Sequence, residues 1–218
     1  MVEPARVFLA AAAAAGVRRV VICSPAALRT AAAQANPHLA AKAEVERMVA
    51  ASGLEHAILR CTHVVGPGSR LLELLAGAAR PGEPSGTPAR GQALVPGDGR
   101  QRVAPVWVGD VAEAIATADD AAQLPPTTWS LSGPTQLTFD DLVDAVRGSR
   151  VAKRHLAPGD GQAPGPWAGL SEVQAGVLAA DSLADPALAP APRLVPTPLA
   201  EALARSAGAW RPRVAGSP

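Results

Sequence analysis

The chain has 218 residues and is almost electrically neutral, with 20 Lys and Arg against 19 Asp and Glu. This balance gives no electrostatic basis for binding nucleic acid or an anionic membrane. Two cysteines are too few for a disulfide framework and fit a reducing compartment, so we expect a cytoplasmic protein. The four histidines are scattered without metal-ligand spacing, which predicts no metal site. The apolar opening segment is too short to cross a bilayer, so we also expect no membrane span.

The first quarter of the chain alternates helical and strand patterns. Pro4–Ala15 is Ala-rich and predicts a helix that ends at Gly16. Arg19–Cys23 is a short apolar run, typical of a strand covered on both faces. A second helix is predicted over Pro37–Ala51, and His56–Arg60 predicts the next strand. This strand–helix–strand order predicts a parallel sheet.

The middle of the chain continues less regularly. A helix is predicted near Arg70–Ala79, followed by a Pro/Gly-rich stretch from Pro81 to Gly99 and a short strand at Ala104–Val108. Asp110 and Glu113 have the spacing of a capping box that would open the next helix. The predicted buried stripe of that helix consists of Val111, Ile115 and Ala118.

The last third begins with a strand predicted at Trp129–Ser132. Thr138 has the features of a helix N-cap, because Leu137 and Leu142 occupy the hydrophobic-staple positions around it. The segment 157–196 is rich in Ala, Pro and Gly, with a weak helical pattern near 170–180, and we expect it to be poorly ordered. A final helix is predicted with Thr197 as its N-cap and Pro198 as its first helical residue, running towards Trp210. We therefore divide the chain at 1–156, 157–196 and 197–218.

Five segments, taken in order, resemble the short-chain dehydrogenase/reductase superfamily of NAD(P)-binding Rossmann proteins. They are AAAAAGVRRVVICS at 11–24, HLAAKAEVERMVAASGLEHAILRCTHVVGPGS at 38–69, GDGRQRVAPVWVGDVAEAIATA at 97–118, WSLSGPTQLTFDDLVDAV at 129–146 and PTPLAEAL at 196–203. The third is similar to atypical members, the group of NmrA-like proteins and the complex I accessory subunit. The resemblance implies an α/β fold with an incomplete Rossmann-like parallel sheet, flanking helices and a small α/β substrate-side portion.

The resemblance also implies a set of site residues. The Tyr-x-x-x-Lys pair of the family appears as His38-x-x-x-Lys42, and Ser24 matches the serine that orients the substrate carbonyl. The chain has no tyrosine at all, although imidazole is a capable general acid or base near neutral pH. We therefore predict Ser24, His38 and Lys42 as catalytic positions, and Ser24, Lys42, Thr62 and His63 as cofactor contacts for NAD or NADP.

Each of these residues also has an ordinary structural interpretation. Ser24 could simply end a strand before a proline, and His38 could be an exposed residue at a helix start. Lys42 could be a surface partner of Glu46, four residues further along the helix. Both interpretations remain open at this point.

One family feature has no counterpart in the sequence. The family opens with a strand and a GxxGxxG turn that holds the cofactor diphosphate, whereas residue 1 here falls at the fourth helix of that plan. We therefore expect a truncated oxidoreductase- or epimerase-like protein with weak cofactor binding and weak or no catalysis. The alternatives are a non-catalytic, NmrA-like binding or regulatory protein and a non-functional fragment. We also expect the strand near residues 20–23 to have a bare edge. The chain's own tail, a second copy or another partner chain would cover this edge, or the chain would remain only marginally stable. The substrate is not predicted beyond a small molecule.

Overall fold

The computed structural model of the protein describes residues 1–30, 35–77, 92–148, 150–156 and 171–210. The helices are α1 (Val2–Ala14), α2 (Pro37–Ala50), α3 (Arg70–Ala76), α4 (Val108–Asp120), α5 (Phe139–Arg147), α6 (Glu172–Leu178) and α7 (Leu199–Trp210), with a 3₁₀ turn at Ala26–Arg29. The strands are β1 (Arg19–Pro25), β2 (Glu55–Cys61), β3 (Val64–Val65), β4 (Gln92–Pro96), β5 (Arg102–Val103), β6 (Val106–Trp107), β7 (Thr127–Leu131), β8 (Leu137–Thr138), β9 (Ala152–Leu156) and β10 (Ala189–Pro190).

The main sheet is parallel and has the strand order β1-β2-β7-β10. Successive residues of β2 point to opposite faces of the sheet, and helices cover both faces. Ile58 packs on one face with Leu9 of α1 and Val49 of α2. Ala57 and Leu59 pack on the other face, against α4. This arrangement confirms the predicted α/β fold with a Rossmann-like parallel sheet and flanking helices.

A buried arginine anchors the end of α4 to the start of the sheet. The guanidinium of Arg19 donates to the carbonyl oxygens of Ala118 at 2.6 Å and Ala121 at 2.7 Å, and it pairs with Glu55 at 2.6 Å. The last carbonyl groups of a helix lack partners within the helix, and a cation is favourable at this end of its dipole. Arg19 therefore joins α4, β1 and β2 at the edge of the sheet where the strands begin.

A second core lies outside the main sheet, where β4 and β9 form a parallel pair with Gln92 opposite Ala152. It packs apolar side chains of α3, α5 and α7 against β4. Neither strand was predicted, since β4 lies within the Pro/Gly-rich stretch and β9 follows the α5 helix with a mostly charged sequence. Of that Pro/Gly-rich stretch, residues 81–91 lie outside the described residues.

The start of α5 agrees with its prediction. The Thr138 hydroxyl accepts a hydrogen bond from the main-chain N–H of Asp141 at 3.1 Å, and the Asp141 carboxylate accepts one from the main-chain N–H of Thr138. The helix ends at Gly148, whose φ of 71° is in the left-handed region that favours glycine. The predicted N-cap at Thr138 is therefore confirmed.

The predicted capping box at Asp110 is wrong. Helix α4 already begins at Val108, and the buried Asp110 carboxylate accepts hydrogen bonds from Thr197, at 2.8 Å from its main-chain N–H and 2.7 Å from its hydroxyl. The predicted stripe of this helix is also wrong at one position, because Ile115 is 38% exposed while Ala114 is buried. Asp110 thus joins the first turn of α4 to the segment that precedes α7.

The segment expected to be poorly ordered carries regular structure where it is described. Residues 171–196 include α6 and β10, and β10 pairs with β7 in the main sheet. The Ser182 main-chain N–H donates to the Arg102 carbonyl at 2.8 Å, and the Ser182 carbonyl accepts from Ala104 at 3.0 Å. Residues 157–170 lie outside the described part of the chain. The final helix begins at Leu199, one residue after the predicted first helical residue Pro198, and the predicted cap Thr197 instead donates its hydroxyl to Asp110.

Candidate functional site

The carboxyl ends of β1 and β2 form one edge of the main sheet. The parallel register places Ser24 opposite Arg60 and Pro25 opposite Cys61. Thr62 and His63 follow Cys61 directly, so they leave the sheet beside Ser24. Ligands of open parallel sheets bind outside the carboxyl ends of the strands, and four of the predicted site residues reach or flank this edge.

Ser24 is buried, with 4% of its surface exposed. Its Oγ atom is also buried and has no hydrogen-bond partner among the described residues. Leaving a buried hydroxyl without a partner costs about 1–3 kcal/mol. Ser24 therefore offers an unused polar group at the end of β1, which a simple strand-ending serine would not require.

Helix α2 presents the other two predicted catalytic residues. Asn36 caps it, because its Oδ1 atom accepts hydrogen bonds from the main-chain N–H groups of His38 at 3.0 Å and Leu39 at 3.2 Å. His38 is half-buried in the first turn. Lys42 follows one turn later, on the same side of the helix. Sequence reasoning missed Asn36, although Asn before Pro at a helix start is a recognisable cap signal.

The alternative interpretation of Lys42 as a partner of Glu46 is not observed. The Glu46 carboxylate is buried and instead pairs with Arg60 of β2 at 2.7 Å. Arg60 also lies 3.7 Å from Asp185, and these two carboxylates raise its pKa. Within the described residues Lys42 has no ion pair. The pKa of the Cys23 thiol is lowered, first by the neighbouring Cys61 thiol and further by the charge of Lys42, although burial opposes the change.

Thr62 uses its polar groups within the fold. Its hydroxyl donates to the Ala104 carbonyl at 2.5 Å, and its main-chain N–H donates to the Leu131 carbonyl at 2.9 Å. These bonds connect the end of β2 to β7 and to the loop before β6. Thr62 is thus at the predicted place, but its hydroxyl proton and main-chain N–H are already committed.

His63 is half-buried and packs edge-on against Phe139 of α5, with ring centroids 6.2 Å apart. Burial lowers its pKa from 6.5 to about 4, so the ring is neutral at physiological pH. Its Nε2 atom is buried and finds no partner in the described part of the chain. A neutral, enclosed imidazole can donate or accept one hydrogen bond here but cannot supply a positive charge.

Two thiols complete this edge of the sheet and were not predicted to act there. Cys23 is exposed and Cys61 is buried, and both are free. The S–H group of Cys61 donates to the Leu59 carbonyl at 3.4 Å, and the two cysteines are diagonal neighbours on adjacent strands. Their proximity follows from the parallel register, which sequence reasoning could anticipate only as strand ends that lie near one another.

Other kinds of site find little support in the described residues. No group of three or more His, Cys, Asp or Glu side chains there could hold a metal ion. No helix among them combines the length and apolarity needed to cross a membrane. A groove of about 850 Å³ lies between α5 and α7, and none of the predicted site residues lines it. The carboxyl edge of β1 and β2 is therefore the candidate site.

The residues at this edge fit one part of a dinucleotide better than the other. The unpartnered Ser24 hydroxyl and the Lys42 ammonium can hydrogen-bond to the amide and ribose hydroxyl groups of a nicotinamide nucleoside. A diphosphate needs main-chain N–H groups at a glycine-rich turn before a helix, and the sequence contains no GxxGxxG motif. The fit is therefore to the nicotinamide–ribose end.

The fold and this edge together define a protein of the Rossmann-like, dinucleotide-binding class. A family model supports the same assignment: residues 4–131 match the NAD dependent epimerase/dehydratase family. The chain belongs to that family, and its resemblance to short-chain dehydrogenase/reductase relatives is confirmed. No curated protein sequence matches the chain.

Solved structures with the same fold include several enzymes of this type. The chain is 21% identical to TunA, an NAD-dependent NDP-hexosamine 5,6-dehydratase of tunicamycin biosynthesis, over 96% of this chain and 68% of that one, with a TM-score of 0.60. It is 19% identical to the UDP-glucose 4-epimerase of Thermus thermophilus in complex with NAD, over 96% and 69%, with a TM-score of 0.62. It is 21% identical to MoeE5 in complex with UDP-glucuronic acid and NAD, over 94% and 69%, with a TM-score of 0.62. At these identities the similarity establishes the fold alone.

Proposed function

We propose that the chain binds the nicotinamide–ribose end of NAD or NADP at the carboxyl edge of β1 and β2. The observation that carries this proposal is the position of Lys42, which faces this edge without an ion pair in the described structure while Glu46 is committed to Arg60. Lys42 binds ribose hydroxyl groups, and Ser24 donates its unused hydroxyl to a carbonyl oxygen. His63, just after β2, borders the site as a neutral ring.

We propose further that catalysis is weak or absent. When bound, the nicotinamide supplies hydride transfer, and the protein must move a proton to or from the substrate oxygen. His38 occupies the position from which the family's tyrosine does this, and its main chain is held by Asn36. An imidazole is shorter than a phenol and presents its proton at a different place, so proton transfer is less well aligned.

The substrate class we propose is a nucleotide sugar, on the strength of the similar folds. MoeE5 binds UDP-glucuronic acid in its complex with NAD, the Thermus protein is a UDP-glucose 4-epimerase, and the family comprises epimerases and dehydratases. The second candidate function is a binding or regulatory protein that senses the nucleotide without turnover. The observation that favours it is the replacement of tyrosine by His38. We propose a cytoplasmic location for either function, which the two free thiols support.

Thermal unfolding with and without nucleotide tests the binding proposal directly. A ligand that binds the native state stabilises it by about 0.4 kcal/mol at a concentration equal to its Kd. For a chain of this length that free energy raises Tm by roughly 1–2 °C. We therefore expect 5 mM NADH or NADPH to raise Tm by about that amount, and by more if Kd is submillimolar.

The matched control is another cation on α2. Lys42→Met removes the proposed ribose contact and should abolish the shift. Arg47→Met removes an exposed charge that pairs with Glu44 on the same helix, and should leave the shift intact. A Tm that neither nucleotide moves, or a shift that survives Lys42→Met, contradicts the proposed site.

Turnover separates the two candidate functions. If the chain consumes UDP-glucose in the presence of NAD, His38→Ala should lower kcat by about 10²–10⁴-fold while leaving the nucleotide-induced Tm shift unchanged. If the native chain shows the Tm shift without turnover, the binding function stands and the catalytic one fails.

A further inference from the structure

We propose that the groove between α5 and α7 is a ligand site in its own right, which binds a free unbranched alkanoate with its carboxylate on Arg147. The groove lies apart from the carboxyl edge of β1 and β2, and the proposal does not depend on nucleotide binding there. Three observations support it: the walls of the groove, the contacts of Arg147, and the pairing of the acidic residues on the surrounding helices.

The walls of the groove are made of small apolar side chains. Its volume of about 850 Å³ is within the range of about 300–1,000 Å³ that is common for sites of small organic molecules. One face of α7 and the last turn of α5 line it with Ala200, Leu203, Ala204, Ala207, Ala145 and Val146. Because most of these side chains are alanines, the two helices leave room between them for an unbranched chain. Removing such a chain from water favours binding.

Arg147 is the one charged residue among the described residues that line the groove. Its Nε atom donates to the Leu75 carbonyl at 2.6 Å, at the end of α3. The guanidinium lies directly against Gly77, since a Cβ atom on that glycine would be 2.8 Å from Nη2. A guanidinium has five N–H donors, and the bond to α3 uses one of them. Neither Nη atom has a hydrogen-bond partner in the described part of the chain, so both can bind the oxygens of a carboxylate.

The fold supplies no counter-charge to Arg147 within the described residues, although α3, α5 and α7 all carry acidic side chains. One acid on each of these helices is paired with another cation: Glu73 with Arg70, Asp144 with Lys153, and Glu201 with Arg205. The other two acids of α5, Asp140 and Asp141, lie in its first turn, whereas Arg147 lies in its last. Burial lowers the pKa of Arg147, since its charge loses hydration. An anion in the groove would therefore supply a charge that the fold does not.

An unbranched alkanoate combines the two features that the groove offers to a ligand. Its carboxylate can accept hydrogen bonds from both Nη atoms of Arg147, and its chain can lie along the alanine walls. Acetate or inorganic phosphate can use only the guanidinium, and an alcohol of the same length can use only the walls. We therefore expect octanoate to bind more tightly than any of these three.

Isothermal titration calorimetry of the full chain, free of nucleotide, tests this order of affinities. We expect octanoate to bind at one saturable site, about tenfold or more tightly than 1-octanol, because hydrogen bonds to charged groups are the stronger ones. Between hexanoate and octanoate the affinity should rise by up to about fourfold for each added methylene group, since each is removed from water. Acetate and inorganic phosphate should bind weakly by comparison.

Variants of Arg147 test the charged end of the site. Arg147→Met should reduce the affinity for octanoate to that for octanol while leaving octanol binding unchanged. Arg147→Lys keeps the charge without the paired Nη donors, so its affinity for octanoate should lie between those of the native chain and Arg147→Met. Arg47→Met is the matched control, because it makes the same change at an exposed arginine of α2 that pairs with Glu44. It should leave octanoate binding intact.

A second pair of variants tests the apolar walls. Ala204 lines the groove but is exposed, so Ala204→Phe can fill the groove without disturbing a buried position. This variant should weaken the binding of octanoate and octanol alike. Ala10→Phe makes the same change at an exposed alanine of α1, which does not line the groove, and should alter neither affinity.

Four outcomes would overturn the proposal. Equal affinity for octanoate and octanol, or a preference for octanoate that survives Arg147→Met, would remove the role of Arg147. Acetate or phosphate binding as tightly as octanoate would indicate a site for a bare anion. Dimers in sedimentation velocity that octanoate dissociates would indicate that the groove accepts a second copy of the chain.

The outcome stays decidable even if one variant is unstable, and it is separate from nucleotide binding. If Arg147→Met fails to fold by circular dichroism, Arg147→Lys and Ala204→Phe decide the question by their affinities for octanoate. Lys42→Met, which should abolish the nucleotide-induced Tm shift, should leave octanoate binding unchanged. Failure of either proposal therefore leaves the other standing.

Discussion

The main sheet and the second core differ in what they bury. The main sheet, with α1, α2 and α4, encloses polar groups at its carboxyl edge, among them Ser24, Glu46 and Thr62. The second core, formed around β4, α3, α5 and α7, is built mainly from fully buried apolar side chains such as Phe139 and Leu142, and its buried Gln101 and Ser206 donate to main-chain carbonyls. Burying polar groups costs free energy unless they are paired, so the difference locates candidate chemistry in the sheet and packing stability in the second core.

The two regions meet along a narrow seam. His63, at the end of β2, contacts Phe139 of the second core. Asp110, in the first turn of α4, binds Thr197 just before α7. Substitutions within the second core and along the seam can therefore test whether the two regions are stabilised together.

The largest expected effect is on packing within the second core. Phe139→Ala removes a fully buried ring and should lower the free energy of unfolding by about 3–5 kcal/mol. Phe8→Ala makes the same change at a side chain of α1 that is 59% exposed, and should cost well under about 1 kcal/mol. Urea unfolding followed by tryptophan fluorescence measures both. Equal costs for the two variants would refute the contrast between the regions.

The next effect is a pH dependence that originates at the seam. The folded pKa of His63, about 4, is below its ordinary value of 6.5, so the unfolded chain binds a proton that the folded chain does not. Stability from this group is complete above pH 6.5 and is lost as the pH falls towards 4, by up to about 3 kcal/mol. We expect His63→Gln to reduce the dependence of the unfolding free energy on pH between pH 6.5 and 4.

His155 supplies the control for that measurement. It is a histidine of the second region whose side chain is 40% exposed and lies 3.0 Å from Asp140. His155→Gln should leave the steep fall between pH 6.5 and 4 in place. If His63→Gln retains the native slope of unfolding free energy against pH, then burial of the His63 ring is not the cause of that slope.

The smallest effect comes from the second contact across the seam. Thr197→Val removes the hydroxyl that donates to the buried Asp110 carboxylate and should cost about 1–2 kcal/mol. A double-mutant cycle with Asp110→Ala should show a coupling of about 0.5–3 kcal/mol. Thr135→Val, at an exposed threonine, is the matched control and should change stability little. Strict additivity of Asp110→Ala and Thr197→Val would mean that this contact does not join the regions.

Local sequence signals predicted most of the main sheet. The predicted strands Arg19–Cys23 and His56–Arg60 lie within the observed strands β1 and β2, and Thr138 was predicted as a cap because its partners lie within four residues of it. The β4–β9 pair was missed, since Gln92 and Ala152 are far apart in the chain and Ala152–Leu156 is too polar to suggest a strand. Asp110 was misassigned because its spacing to Glu113 imitates a local motif, whereas its real partner lies 87 residues away.

The candidate site divides in the same way. The spacing of His38 and Lys42 and the position of Ser24 after a strand could be read from the sequence, because helix periodicity and strand ends are local properties. The sequence could not show that Glu46 forms an ion pair with Arg60 or that His63 packs edge-on against Phe139. Nor could it show that the Thr62 hydroxyl donates to the Ala104 carbonyl. These facts depend on which elements meet.

The sequence by itself thus determined the family, the parallel order of the first strands and the identity of the groups at their carboxyl ends. Only the tertiary structure decided which of those groups have partners. It paired Glu46 with Arg60, bound the Thr62 hydroxyl to the Ala104 carbonyl, and left the Ser24 hydroxyl without a partner among the described residues. The physical reason is that hydrogen bonds and charge pairs act over a few ångströms, and the residues that form them here come from segments far apart in the chain.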